Sequence, residues 1–146
     1  MLQIERIPDE SAWYGYEDDL DVKSMHDLFF GRSNTDVQKH FGGGSSIERA
    51  DELLFAPRPV FQYYVHAFAS FVMSQPAKGD PDSASPFLGL LESREERDPG
   101  SVKAIFESLV SCVDFIANNQ THFDADIDIY GDFKERALRV REKCRA

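Results

Sequence analysis

The sequence predicts an all-α, single-domain helical bundle of about six or seven helices packed around a buried, aromatic-rich central helix. Three observations carry this. Apolar residues recur at spacings of three and four along several segments, alternating strand patterns are nearly absent, and proline or small polar residues stand where helices would start. The chain has 146 residues, a common size for one domain and large enough to bury a continuous core. Twelve Phe and a hydrophobic share of 42% set it apart from a disordered acidic chain.

The N-terminal half is read as short helices over Val22 to Phe30, Thr35 to Phe41 and Ile47 to Leu54. Ser45 and Glu48 have the spacing of a capping box for the last of these. Gly42, Gly43 and Gly44 before it read as a flexible turn. Residues 59–74 (PVFQYYVHAFASFVMS) begin with proline and are apolar on nearly every side, the pattern of a helix covered all round. This is the expected central helix. Residues 75–84 are Pro-, Gly- and Ser-rich and read as a flexible loop.

Ser85 as cap and Pro86 as first residue open the next helix, with Phe87, Leu88, Leu90 and Leu91 buried and a solvated end from Glu92 to Arg97. Asp98 and Pro99 then suggest a helix over 99–120, with Val102, Ile105, Phe106, Leu109, Val110, Val113 and Ile116 on its apolar face. A last helix, about 131–144, places Phe133, Ala137, Val140 and Cys144 on one stripe, and its basic residues suit the helix dipole. Leu2 to Ile7 has a weak strand pattern, but one strand makes no sheet.

The segment Phe29 to Ser74 resembles a small family of uncharacterised, all-helical bacterial proteins with a short Phe-Gly motif followed by a Phe-x-Tyr-Tyr-x-x-x-Phe helix. The matching residues are Phe30-Gly31, Leu53-Leu54, Pro59, Phe61, Tyr63, Tyr64, Ala67 and Phe68, with Val65-His66 where that family often shows Leu-Pro. The resemblance covers about a third of the chain, and its residues are mostly core-forming. It implies a helical fold and a bacterial setting, and no particular activity.

Charge narrows the partners. Sixteen Lys plus Arg against 26 Asp plus Glu leave a net charge of -10, which repels nucleic acid and anionic lipid and attracts a basic protein. Residues 1–21 (the acidic N-terminal segment) carry seven acids against Arg6, while the last thirteen residues carry six cations, so the two ends are expected to pair. MLQIERIPDE lacks the basic and apolar regions of a signal peptide, and no apolar run is long enough to span a membrane. With Cys112 and Cys144 on apolar helix faces, a cytoplasmic protein with buried, reduced thiols is expected.

Chemistry-bearing motifs are sparse. Asp124, Asp126, Asp128, Asp132 and Glu135 have the spacing of a calcium loop, and His122 beside them invites a transition metal. However, Ile129 stands where the loop needs glycine, and Gly131 where it favours an apolar residue. The acids then serve more simply as helix caps. His26, His40 and His66 are scattered, and Gly42 to Ser46 lacks the lysine and preceding strand of a phosphate loop. No nucleophile elbow occurs. No catalytic residue, metal or cofactor is assigned.

The remaining feature is Trp13-Tyr14-Gly15-Tyr16 followed by Glu17, Asp18, Asp19 and Asp21. Aromatic anchors beside carboxylates suit an interface with a basic protein. Trp13, Tyr14, Tyr16, Glu17, Asp18, Asp19 and Asp21 are therefore the expected partner-binding residues, with Asp124, Asp126 and Asp128 as a second acidic patch. The function expected on these grounds is protein binding, in the form of an immunity protein that inhibits a bacterial toxin or effector. The alternatives are a metal- or ligand-binding protein or enzyme using the Asp124 to Glu135 segment, and a self-associating structural protein that shares its central helix between subunits.

Overall fold

The computed structural model describes residues 6–145, and among them there is no strand. Eight α-helices follow one another: α1 (Leu20–Phe29), α2 (Asn34–Val37), α3 (Gly44–Phe55), α4 (Arg58–Val72), α5 (Pro81–Arg97), α6 (Phe106–Ala117), α7 (Ile127–Tyr130) and α8 (Phe133–Lys143). Short 3-10 turns at Glu10–Trp13 and Tyr16–Asp18 precede them. The expected all-α bundle is present, with α2 and α7 as single turns. Leu2 to Ile7 lies largely outside the described residues.

α4 is the centre. Val60, Phe61, Tyr64, Val65, Ala67, Phe68 and Val72 are completely buried, because α2, α3, α5 and α6 all pack on it. Its rings interlock with those of other elements, Phe68 edge-on to Phe87 at 5.2 Å and Tyr64 edge-on to Phe29 at 4.9 Å. The Tyr64 hydroxyl lies within hydrogen-bonding reach of the Phe29 and Arg32 carbonyls, at 2.8 and 2.7 Å, and so anchors the end of α1. Around α4 the remaining long helices form a row of neighbours, α1 on α3, α3 on α5, α5 on α8 and α8 on α6. The aromatic rings of α4 are thus covered within one chain.

Three boundaries differ from the sequence reading. α6 begins at Phe106, not residue 99: Asp98 ends α5, and the Glu95 carboxylate accepts the backbone N–H groups of Gly100, Val102 and Lys103 at 2.6 to 2.9 Å. Those donors would otherwise begin a helix. α5 begins at Pro81, so 81–84 of the expected loop is helical and Pro86 lies inside the helix. α3 begins at Gly44 without a Ser45 cap; Ser33 and Asp36 form the capping box instead, at the start of α2.

The glycine turn is specifically built. Gly42 and Gly43 have φ values of 125° and 51°, and a Cβ on Gly42 would meet the Phe71 ring at 3.4 Å. Gly42 N–H donates to Ser46 Oγ at 2.7 Å and Gly43 N–H to Asp80 Oδ2 at 2.8 Å, while Ser83 Oγ donates to the same Asp80 oxygen at 2.7 Å. A carboxylate of the protein itself therefore meets the glycine-rich loop.

Candidate functional site

The N-terminal aromatic segment is divided by burial. Trp13 is completely buried, edge-on to His26 at 5.0 Å and tilted against Tyr64 at 6.1 Å, so the expectation that it meets a partner is corrected: it is a core residue. Tyr16 is half-buried and stacks on the His26 ring at 3.8 Å, and His26 stacks in turn on Phe30 at 4.7 Å. Tyr14 is 65% exposed. Glu17, Asp18 and Asp21 are exposed, whereas Asp19 caps α1 by accepting from the N–H groups of Asp21 and Val22 at 2.9 and 3.1 Å.

The expected pairing of the two chain ends does not occur among the described residues. Arg139 and Lys143 of α8 pair with Glu92 and Glu96 of α5, and Arg141 pairs with Asp114 of α6. Glu17, Asp18 and Asp21 are left facing solvent.

The second acidic cluster is a pair of helix caps. Asp126 accepts from Asp128 N–H at 2.8 Å to open α7, and Asp132 accepts from Lys134 N–H at 2.9 Å to open α8. The Gln120 carboxamide holds the segment by donating to the Ala125 and Gly131 carbonyls and accepting from Phe133 N–H. α7 occupies the middle of the calcium-like spacing, and no three His, Cys, Asp or Glu side chains come together as metal ligands among the described residues. The His122 ring packs edge-on against Phe115 and Phe123.

The other reactive side chains are enclosed. Cys112 and Cys144 are free and buried; desolvation pushes the Cys112 thiol well up and the Cys144 thiol up to about 11, so neither is a ready thiolate. His66 Nε2 lies 2.7 Å from Ser108 Oγ, but that hydroxyl is also 2.6 Å from the Ile105 carbonyl of its own helix turn. Burial pushes the His66 ring below its ordinary value.

The exposed side of α3 brings together what the sequence left apart. Between α1 and α3 lies a hollow of about 240 Å3 lined by Asp21, Ser24, Glu48, Arg49, Asp51 and Glu52. Arg49 is held by Glu52 through two bonds, Nε to Oε1 at 2.6 Å and Nη2 to Oε2 at 2.8 Å, and lies 3.8 Å from Glu48 Oε1, so one cation stands against four carboxylates and the hollow is net negative. Burial raises the Glu52 carboxyl above its usual range, Arg49 opposes this, and Asp21 and Glu48 reinforce it. Between α3 and α5 lies a second groove of about 220 Å3, mostly apolar, lined by Ile47, Ala50, Leu54, Pro86 and Leu90 among others. Asp51 lines both.

Sequence reasoning found only Asp21 of this face. The available signal was apolar Ile47 and Leu54, seven residues apart on α3 and outside its most buried stripe of Ser46, Arg49, Ala50 and Leu53. Periodicity alone cannot say which apolar row of a helix a neighbour covers, and on α3 Ile47 is left 44% exposed.

No described helix is long and apolar enough to cross a membrane. No family model, curated protein or solved structure matches the chain.

Proposed function

We propose that the protein acts by binding a basic protein partner across the exposed side of α3, in the manner of an immunity protein that blocks a toxic effector. The observation that carries this is Asp51, which borders both a carboxylate-lined hollow and an apolar groove. A partner presenting an apolar ridge flanked by Lys or Arg would bury its apolar side chains against Ile47, Leu54 and Leu90. Its cations would meet Asp21, Glu48 and Asp51.

Electrostatics suits the same role. A net charge of -10 accelerates encounter with a cationic protein, and carboxylates flanking an apolar contact select against acidic surfaces. An inhibitor needs no chemistry of its own; it covers a surface or locks a conformation. Exposed Glu17 and Asp18 precede α1 and extend the negative field beside Asp21.

The test is a photo-crosslinking residue at position 51, compared with one at position 124, in lysate of the source cells. One basic protein should be captured from position 51 alone and lost when Glu48 and Asp21 are changed to Lys. Its expression should harm the cells, and co-expression of this chain should relieve the harm. Equal capture from both positions, or capture indifferent to the charge reversal, rules out the α3 face; capture without relief rules out inhibition.

A further inference from the structure

A third hollow, about 480 Å3, lies where α3 ends, α4 begins and α5 ends, beneath the N-terminal turn that carries Tyr14 and Tyr16. Its volume falls in the range of small-molecule sites. Its chemistry is opposite to that of the rest of the molecule. Arg58, Arg94 and Arg97 line it against two carboxylates, Asp19 and Asp98.

Most of these charges already have structural tasks. Asp98 is held by Arg58 in a two-bond pair and also meets Arg94 at 3.2 Å. Asp19 caps α1. Buried Arg94 donates to the Leu53, Leu54 and Ala56 carbonyls, so the negative C-terminal end of α3, which would oppose an anion here, is neutralised. Arg97 is different. It is exposed and meets no carboxylate at ion-pair distance among the described residues; its guanidinium instead lies over the Phe55 ring, 4.5 Å from the centroid.

A guanidinium stacked on a ring keeps its N–H groups directed outward around its edge, available to an anionic acceptor. Beside it, exposed Tyr14, partly exposed Phe55 and half-buried Tyr16 supply flat apolar surface. α4, a helix of fifteen residues, begins at this hollow with no side-chain cap, so its positive end adds to the same field. The net negative charge of the whole protein acts over distances that salt screens within about 8 Å, whereas Arg97 acts at contact.

We propose that this cleft binds small molecules that carry a carboxylate or similar anionic group on a flat aromatic ring, with Arg97 pairing the anion and Tyr14 and Phe55 contacting the ring. The site is separate from the α3 docking face and does not depend on that reading.

The test is titration of the intact protein, followed by amide NMR shifts, with indole-3-acetate, with tryptamine as its cationic counterpart and with acetate as the anion lacking a ring. Indole-3-acetate should saturate shifts centred on Phe55, Arg58 and Arg97. Arg97→Gln, at an exposed position, should weaken it about tenfold without changing the melting temperature. Tryptamine should leave these signals unmoved, and acetate should bind more weakly than indole-3-acetate. Equal binding of tryptamine, unchanged affinity in Arg97→Gln, or no saturable shift up to about 10 mM overturns the proposal.

Discussion

Arg58, at the first position of α4, grips Asp98, the residue that ends α5, with Nε to Oδ2 at 3.0 Å and Nη2 to Oδ1 at 2.5 Å. Two helix ends forty residues apart in sequence are thereby joined, and the hydrogen bonds from Arg58 hold the Asp98 carboxyl below the usual carboxylate range. A depressed folded-state value means the pair stabilises the fold at any pH above about 4. That contribution fades as the pH falls from there through the lowered value. Asp98→Asn should therefore lower stability by about 1 kcal/mol at neutral pH and much less near pH 2, measured by urea unfolding at both.

The N-terminal segment divides sharply between its two neighbouring rings. Trp13 has no exposed surface and Tyr14 is 65% exposed. Trp13→Ala should destabilise by about 3–5 kcal/mol, whereas Tyr14→Ala should stay within about 0.5 kcal/mol. Thermal unfolding of both variants checks this; equal effects would mean that the N-terminal turn does not dock as described.

Burial lowers the pKa of His66, so the folded state resists protonation of a ring that the unfolded chain protonates at about 6.5. The sign follows: full stability above that value, with loss as the pH falls from there toward the lowered folded value. His66→Gln should flatten the dependence of melting temperature on pH between about 7 and 5. An unchanged slope would assign it to another group.

On the α3 face, exposure predicts that binding and folding separate. Ile47 is 44% exposed and Asp51 is exposed. Ile47→Glu with Asp51→Arg should change stability by less than about 1 kcal/mol while abolishing capture of the basic partner. A melting temperature lowered by many degrees would place this row in the core.

Buried Arg94 makes the opposite case. Its guanidinium satisfies three carbonyls at the end of α3, Ser101 Oγ and Asp98, and desolvation lowers its pKa from the usual arginine value. Arg94→Met strands those acceptors and should cost about 3–5 kcal/mol by denaturant unfolding.

The residues by themselves determined the helical class, the central position of α4, and the ends of α4 and α8 to within two residues. Local apolar period and helix-starting residues act over a few turns, and all of that information is contiguous. Only the folded structure decided where α5 ends and α6 begins, because Arg58 reaches across from α4 to Asp98 while the Glu95 carboxylate takes the N–H groups of Gly100, Val102 and Lys103. It also decided the surfaces. Trp13 turned inward because an aromatic pocket from α1 and α4 was there to receive it. Asp21, Glu48 and Asp51 became one acidic hollow, and Tyr14, Phe55 and Arg97 one cleft, only when separate helices packed. Charge and aromatic content are properties of residues; a site is a property of distances between them, and those distances are set by packing.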